Sequence, residues 1–168
     1  MLFSLDALIR YEAMAMTIPE IVEREGWSGF REREFQVVRR VSAFQSGAVV
    51  DCGGGVVVDL DPAGEEIFSN RKVDALRRNG LVVYLRRDPK VLMKKVSGDP
   101  SRPALSDHRS FLELMERRDR WYVEAADLVF DGEGIPKVEI AAEILSWFLE
   151  HQGDARATVT TSRPAPES

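Results

Sequence analysis

Three consecutive glycines are the part of the sequence that most directly suggests a ligand site. Gly53, Gly54 and Gly55 follow the β-branched run Ala48-Val49-Val50. Glycine loses more conformational freedom on folding than other residues, so a run of three is costly. Its usual advantage is that backbone N–H groups can approach a ligand closely, and that ligand is often an anion. A tight turn without any ligand is an equally good interpretation of this motif alone.

Arginines at separate positions are the second feature that could do chemistry. Arg31 and Glu34 lie one helical turn apart, Arg102 stands beside Pro103 in a polar segment, and Arg118 falls late in a long predicted helix. The planar guanidinium binds carboxylate or phosphate through paired hydrogen bonds. Taken singly, each arginine is more simply interpreted as surface charge, and an exposed Arg31–Glu34 pair would contribute little energy.

Asp6 adds a carboxylate to this set. It follows the short apolar segment Met1–Leu5, which predicts the end of a strand, and it would cap the helix predicted for residues 7–13. Ligands of open parallel sheets bind beyond the carboxyl ends of the strands. Phosphoryl transfer requires a carboxylate that holds the acceptor, groups that bind anions and a mobile cationic lid. The combination of Asp6, the glycines and the arginines is therefore typical of a phosphotransferase.

The hydrophobic pattern predicts short strands that alternate with helices. Strands are predicted just before Asp6 and at Ala48–Cys52, Val56–Leu60, Leu81–Leu85 and Leu128–Phe130. Four helices are predicted in the first half of the chain: residues 7–13, Thr17 to Gly26, Ser28 to about Phe44, and Asn70 to about Asn79. A further helix is predicted to begin at Asp88-Pro89, a long one to follow the polar loop Gly98–Asp107 and end near Ala126, and a last one to run from Lys137 to His151. Thr17 and Glu20 have the spacing of a capping box. Such alternation indicates an α/β fold with a mainly parallel sheet.

The composition is that of one globular domain. The chain has 168 residues, of which 44% are hydrophobic and 30% charged, and we predict a domain over residues 1–152 and a disordered tail over residues 153–168. The net charge of −5 argues against a nucleic-acid partner. One cysteine, Cys52, and two histidines exclude a disulfide framework and make a metal site of protein side chains unexpected.

The sequence has no pattern that would direct it to a membrane. No apolar run approaches the roughly 20 residues of a membrane span, and the N-terminus lacks the pattern of a signal peptide. A single cysteine fits a reducing compartment. We therefore expect a cytoplasmic monomer without a membrane partner.

The order of the motifs resembles that of shikimate kinases. The matching pattern is Phe3-x-x-Asp6, Ile18-x-Glu20-Ile21, Phe30-Arg31-x-x-Glu34, the triple glycine, Arg102-Pro103 and Arg117-Arg118-x-x-x-Tyr122. The resemblance extends from about Phe3 to about Leu149. It implies a three-layer fold with a parallel sheet, of the P-loop nucleoside-monophosphate-kinase type. It also implies Mg²⁺-dependent transfer of the γ-phosphoryl group of ATP to the 3-hydroxyl of shikimate.

The resemblance implies roles for the charged residues. Asp6 would hydrogen-bond the reacting hydroxyl and could take its proton. Arg31 and Arg118 would bind the carboxylate of shikimate, and Glu34 would orient Arg31. Arg102 would be the lid arginine that stabilises charge on the moving phosphoryl group.

The resemblance also implies where the rest of the substrates would bind. Gly53, Gly54 and Gly55 would line the shikimate pocket, with Gly54 near the transferred phosphate. Lys95 and the turn that ends at Pro136 would lie beside the adenine of ATP. Cys52, which precedes the glycines, is expected to be a buried thiol rather than a nucleophile, because no histidine lies near it in the sequence.

The sequence departs from the family at the loop that binds ATP phosphates. The family pattern G-x-x-x-x-G-K-[ST] does not occur in the chain, and neither does the central strand that precedes it in the family. That strand would lie between the strands at Ala48–Cys52 and Leu81–Leu85. We expect the remaining sheet to close up, to take in Val56–Leu60, or to stay split. We also expect little or no kinase activity from this chain, because positioning and charge neutralisation supply most of the catalysis in phosphoryl transfer.

Three interpretations follow from that departure. The first is a shikimate kinase whose sequence begins late, which is the simplest explanation. The second is a non-catalytic relative that binds shikimate or regulates another protein. The third is a kinase for another small polyol acid, such as gluconate, because arginines that bind a carboxylate do not by themselves select the sugar.

Overall fold

The computed structural model of the protein describes residues 1–44, 47–96 and 111–157. The strands are β1 (Leu2–Ser4), β2 (Val49–Asp51), β3 (Val58–Leu60), β4 (Glu66–Phe68), β5 (Val83–Arg86) and β6 (Leu128–Asp131). The helices are α1 (Leu5–Glu12), α2 (Ile18–Val41), α3 (Asn70–Arg77), α4 (Pro89–Val96), α5 (Phe111–Ala125) and α6 (Lys137–Ala157). Parallel strand pairs linked through helices confirm the predicted α/β class.

The strands form three separate pairs. β1 pairs with β2 in parallel, with Phe3 opposite Val50, and β5 pairs with β6 in parallel, with Leu85 opposite Phe130. β3 and β4 form an antiparallel hairpin. Within residues 1–44, 47–96 and 111–157, no hydrogen-bonded strand connects the two parallel pairs. Of the three outcomes expected for the sheet, the structure has the split one.

The hairpin of β3 and β4 was predicted only in part. A strand was expected at Val56–Leu60, and β3 occupies its second half. Asp61 begins the predicted turn, because its backbone oxygen accepts from Gly64 N at 2.9 Å and its Oδ1 accepts from Glu65 N at 2.9 Å. The returning strand β4 was missed, since three residues of mixed polarity give no periodic signal. Among the strands that the structure describes, β3 and β4 pair only with each other.

Helix α2 begins where the sequence predicted and is interrupted, but not ended, at Gly26. Thr17 Oγ1 accepts from Glu20 N at 3.4 Å, and Glu20 Oε2 accepts from Thr17 N at 2.6 Å, which confirms the capping box. Gly26 was expected to end this helix. Instead, its backbone (φ 69°, ψ 172°) bends the helix and the chain continues to Val41. A positive φ favours glycine at this position.

The hydrophobic core is built around α1 and α2. Its most buried members include Leu5, Ile9, Ile21, Phe30, Val37, Val38 and Val58. Burial of apolar surface of this kind is the main source of folding free energy. Arg31 and Glu34 lie between buried apolar positions of α2, so the helix carries two charged side chains into the interior.

Helix α6 extends further than predicted. It was expected to end at His151, but it continues to Ala157 and therefore includes residues 153–157 of the predicted tail. Residues 158–168 lie outside the described residues, so their disorder stays a prediction. None of the helices in the described ranges is long and apolar enough to span a membrane.

Candidate active site

Asp6 lies next to the first glycine of the triplet. Helix α1 begins at Leu5, so Asp6 is in its first turn and is not the N-cap that was predicted; Ser4 holds that position. A methyl group added at Gly53 would stand 2.9 Å from Asp6 Oδ1. The two residues meet because β1 and β2 run in parallel, with Ser4 opposite Asp51, so both strands end at the same edge.

Arg31 lies against the third glycine and is buried, with 4% of its surface exposed. Its Nη1 donates to Glu34 Oε2 at 3.1 Å and to the backbone oxygen of Gly55 at 3.3 Å. The rings of Trp27 and Phe30 lie with their centres 5.4 Å from Arg31 Cζ. The interpretation of Arg31 and Glu34 as an exposed surface pair is therefore wrong.

One nitrogen of Arg31 has no partner in the described part of the chain. Its Nε is buried and makes no hydrogen bond there. Leaving a buried donor unsatisfied costs about 1–3 kcal/mol. Such a group is therefore suited to receive an acceptor atom from a ligand.

Arg118 and Tyr122 approach the same glycines from α5. Tyr122 donates its hydroxyl to the backbone oxygen of Gly54. Arg118 Nε lies 3.1 Å from Glu66 Oε2, and its Nη2 donates to the other carboxylate oxygen of Glu66. Burial opposes the charge on Arg118, but hydrogen bonding and charge attraction from Glu66 outweigh it and raise the pKa of Arg118. Burial raises the pKa of Tyr122, so both side chains keep their protons at neutral pH.

Glu66 and a buried lysine were missed by the sequence prediction. Glu66 reaches Arg118 from β4. Lys72 on α3 has no exposed surface and donates to Glu34 Oε2 at 2.6 Å and to the backbone oxygen of Val58. No local signal could have found these pairs, because the partners lie far apart in the sequence and meet only through packing.

A second ion cluster connects the hairpin to α3. Asp59 accepts from Arg71 Nε at 2.8 Å, from Arg71 Nη2 at 2.9 Å and from Ser69 Oγ at 2.6 Å. Burial opposes ionisation of Asp59, but the hydrogen bonds from Arg71 and Ser69 leave its pKa below the ordinary value. Arg71 Nη1 also donates to Glu32 Oε2 at 2.6 Å. The cluster connects the middle of β3 to α2 and α3.

The glycines are required for close approach rather than for unusual dihedral angles. None of Gly53, Gly54 and Gly55 has a positive φ. A methyl group at Gly55 would overlap Arg31 Nη1 and lie 3.0 Å from Arg31 Cζ, whereas one at Gly54 would lie 3.5 Å from the Tyr122 hydroxyl. Burial, followed by the charges of Glu34, Asp51 and Asp6, raises the pKa of Cys52 to about 12. The neighbouring thiol is thus inert at neutral pH, as expected.

Two of the three residues predicted for the nucleotide lie outside what the structure describes. Arg102 lies outside the described residues, and so does the side chain of Lys95. Pro136 precedes α6, where its backbone oxygen accepts from Glu139 N at 3.0 Å and from Ile140 N at 3.1 Å. Among the described residues, no group of three or more His, Cys, Asp or Glu side chains could hold a metal ion.

The fold and this cluster define an α/β protein with a carboxylate and two arginines around a glycine segment at the strand ends. A family model described as shikimate kinase matches residues 2–149. A shikimate kinase of Leptospira biflexa is 40% identical over 144 residues, which cover 86% of this chain and 79% of the relative. A shikimate kinase 2 of Serratia proteamaculans is 35% identical over 145 residues, 83% of this chain and 76% of the relative. The chain belongs to the shikimate kinase family.

Solved structures agree with this assignment. Shikimate kinase from Acinetobacter baumannii, in complex with shikimate, is similar with a TM-score of 0.73 and 27% identity, over 89% of this chain and 79% of that one. Shikimate kinase from Aquifex aeolicus shares the fold with a TM-score of 0.67, over 90% of this chain and 82% of that one, at 23% identity. The family is one of phosphotransferases, and the predicted fold and family are confirmed.

Proposed function

We propose that Asp6, Arg31, Arg118 and the glycine segment bind shikimate as the acceptor of a phosphoryl group. The observation that carries the proposal is their convergence: Gly53 lies beside Asp6 and Gly55 beside Arg31. Gly54 accepts a hydrogen bond from Tyr122, one turn along α5 from Arg118.

The carboxylate of shikimate is the group that the two arginines bind. Shikimate carries one charge, and guanidinium groups pair well with carboxylates. Arg31 supplies its buried Nε, which lacks a partner among the described residues. Arg118 keeps its charge through Glu66. The rest of the substrate then extends along the glycine segment toward Asp6.

Asp6 acts on the hydroxyl at the other end of the acceptor. Its carboxylate accepts a hydrogen bond from the reacting hydroxyl and takes the proton as the new O–P bond forms and the bond to ADP breaks. ATP with Mg²⁺ supplies the phosphoryl group and neutralises its charge. We assign Arg102 to the transferred phosphoryl group and Lys95 and Pro136 to the adenine by family resemblance alone.

Calorimetric titration of the chain with shikimate tests the acceptor site. Arg31→Ala and Arg118→Ala should each weaken binding by about 2 kcal/mol or more, because each removes a desolvated charge partner. Arg33→Ala is the matched control, since Arg33 lies on the same helix and forms its ion pair with Glu25, away from the glycine segment and Glu34. It should leave the affinity unchanged. Wild-type affinity in both site variants would contradict the assignment of the pocket.

A second assay tests the whole reaction. Shikimate-dependent release of ADP from ATP, measured with Mg²⁺ present, reports phosphoryl transfer, whereas calorimetry reports acceptor binding alone. Replacement of Asp6 by asparagine should abolish any transfer while shikimate still binds. Loss of binding in Asp6→Asn together with unchanged folding would instead assign Asp6 to affinity and not to the chemical step.

A further inference from the structure

Lys72 is a completely buried lysine that lies beside the proposed site for an acidic ligand. It projects from the first turn of α3, has no exposed surface, and forms its shortest ion pair with Glu34 Oε2 at 2.6 Å. The same oxygen accepts from Arg31 Nη1 at 3.1 Å. One carboxylate oxygen is therefore shared by two buried cations, and the lysine is the closer of the two.

The charges of these three residues do not cancel. Arg31 and Lys72 are positive and Glu34 is negative, so the group carries one excess positive charge. Asp59 lies 3.8 Å from Lys72 Nζ, but its oxygens already accept from Arg71 and Ser69. Lys72 thus has two carboxylate partners, whereas Arg31 shares Glu34 with it, and incomplete compensation of a buried charge is costly. An anionic ligand at Arg31 would relieve that cost.

A site without Lys72 would be electrostatically different. Arg31 and Glu34 alone would form a neutral, buried pair, and an incoming carboxylate would meet a guanidinium whose charge was already compensated. Lys72 competes for the shared oxygen and compensates part of the charge of Glu34. The guanidinium then keeps its attraction for a further anion while Glu34 and the Gly55 oxygen hold it in place.

We infer that Lys72 is a positioning residue for the acceptor carboxylate, acting through Glu34 on the orientation and charge of Arg31. This inference rests on the proposed binding of shikimate at Arg31. It assigns a role in ligand affinity to a side chain that the ligand does not touch. Burial lowers the pKa of Lys72 below its ordinary value, and the charge and hydrogen bond of Glu34 offset that change only in part.

Calorimetry with shikimate on the full chain tests this inference. Lys72→Met should weaken shikimate binding about tenfold or more. A nearby charge shifts the pKa of a buried group by about one unit or more, which corresponds to the same factor. Arg71→Met is the matched control, because the adjacent residue on the same helix belongs to the Asp59 cluster. It should lower the stability of the fold but leave shikimate affinity within about twofold. Equal losses of affinity in both variants would mean that Lys72 is merely structural and would overturn the inference.

A double variant separates charge from structure. Glu34→Gln combined with Lys72→Met removes one negative and one positive charge. The positive charge of Arg31 is then no longer compensated by Glu34. The double variant should bind shikimate more tightly than Lys72→Met alone, although it has lost more native contacts. Should Lys72→Met fail to fold, Lys72→Gln replaces it in the same comparison. Affinity in the double variant no better than in the single one would overturn the inference.

The two proposals fail differently in these experiments. If the unmodified chain does not bind shikimate, the proposed function is wrong and the inference falls with it. If the chain binds shikimate and Lys72→Met binds it equally well, only the role of Lys72 is wrong.

Discussion

Gly55 and Arg31 are packed so closely that a methyl group added at Gly55 would overlap the guanidinium of Arg31. The backbone oxygen of Gly55 accepts from Arg31 Nη1 at 3.3 Å. The guanidinium cannot move away freely, because Glu34 holds it and it is buried. Close approach to a side chain, and not backbone freedom, is therefore the reason for glycine at this position.

Gly55→Ala should lower the free energy of unfolding by about 1–3 kcal/mol, since an added methyl group forces a packed side chain to shift. Shikimate binding should weaken with it, because Arg31 is the group displaced. Urea unfolding and calorimetry measure the two effects. Gly54→Ala is the control for stability, because its methyl group would lie at an ordinary 3.5 Å from the Tyr122 hydroxyl. Equal stability of the two variants would contradict the explanation.

The site residues differ in how far the sequence predicts them. Asp6, Arg31 and Arg118 could be named because the residue type and the order of motifs both indicate them. Lys72 and Glu66 could not, since their neighbours in the sequence are polar and nothing local distinguishes a buried ion pair from a solvated one. Burial of a charge is decided by what packs over it, and that information is distributed along the chain.

At the scale of elements, the β3–β4 hairpin is attached to α5 by two arginines. Arg117 Nη2 donates to the backbone oxygen of Glu66 at 2.5 Å, and Arg118 pairs with the Glu66 carboxylate. Three residues of β4 are too few to stabilise a strand alone. The hairpin therefore depends on these contacts, which also fix Arg118 beside the glycine segment.

Glu66→Gln should lower the free energy of unfolding by about 3 kcal/mol, because it leaves the buried guanidinium of Arg118 without a counter-charge. Chemical denaturation measures this loss. Glu65→Gln is a matched control one residue away, since the Glu65 side chain is 56% exposed and lies 3.6 Å from Arg117; its effect should stay within about 0.5 kcal/mol. A Glu66→Gln variant as stable as wild type would show that the hairpin does not need the pair.

Element prediction succeeded where the signal was local. The capping box at Thr17 and the turn at Asp61 were identified because their geometry depends on residues within four positions. Gly26 was recognised as an interruption and a second helix was predicted from Ser28, but the sequence did not show that the two segments join in one bent helix. Strand β4 was missed because its pairing with β3, and not its composition, makes it a strand.

At the scale of the whole molecule, two parallel strand pairs form one α/β protein without a continuous sheet among the described residues. The class was predictable from the alternation of strands and helices. Which of three arrangements the sheet adopts was not, because it depends on long-range pairing. Val49 and Leu85 are 67% and 53% exposed on β2 and β5, so each pair presents apolar strand surface to solvent.

Acidification should destabilise the molecule through its paired carboxylates. Asp59, Glu20, Glu25 and Glu32 all have pKa values lowered by folding. For such groups the unfolded chain binds more protons, so the stabilisation is complete above the ordinary pKa values of 3.8 for Asp and 4.5 for Glu. It is lost as the pH falls through the lower values of the folded state.

Asp59→Asn isolates the buried member of that group. At neutral pH it should lower the free energy of unfolding by about 1–3 kcal/mol, because Arg71 and Ser69 lose a charged acceptor. The difference between wild type and variant should shrink as the pH falls through the lowered pKa of Asp59 in the folded state, because protonation removes the charge that asparagine lacks. Urea titrations at several pH values measure it. A difference that is constant with pH would assign the effect to packing and not to charge.

The position of Trp27 over Arg31 has an optical consequence. The indole centre lies 5.4 Å from the guanidinium carbon, so the ring experiences a strong local field from that cation. A carboxylate that arrives at Arg31 would oppose this field and shift the energy of the indole excited state. Trp27 is thus an intrinsic fluorophore beside Arg31. Occupancy of the proposed acceptor site can be followed as a shift in the wavelength of tryptophan emission, without an attached dye.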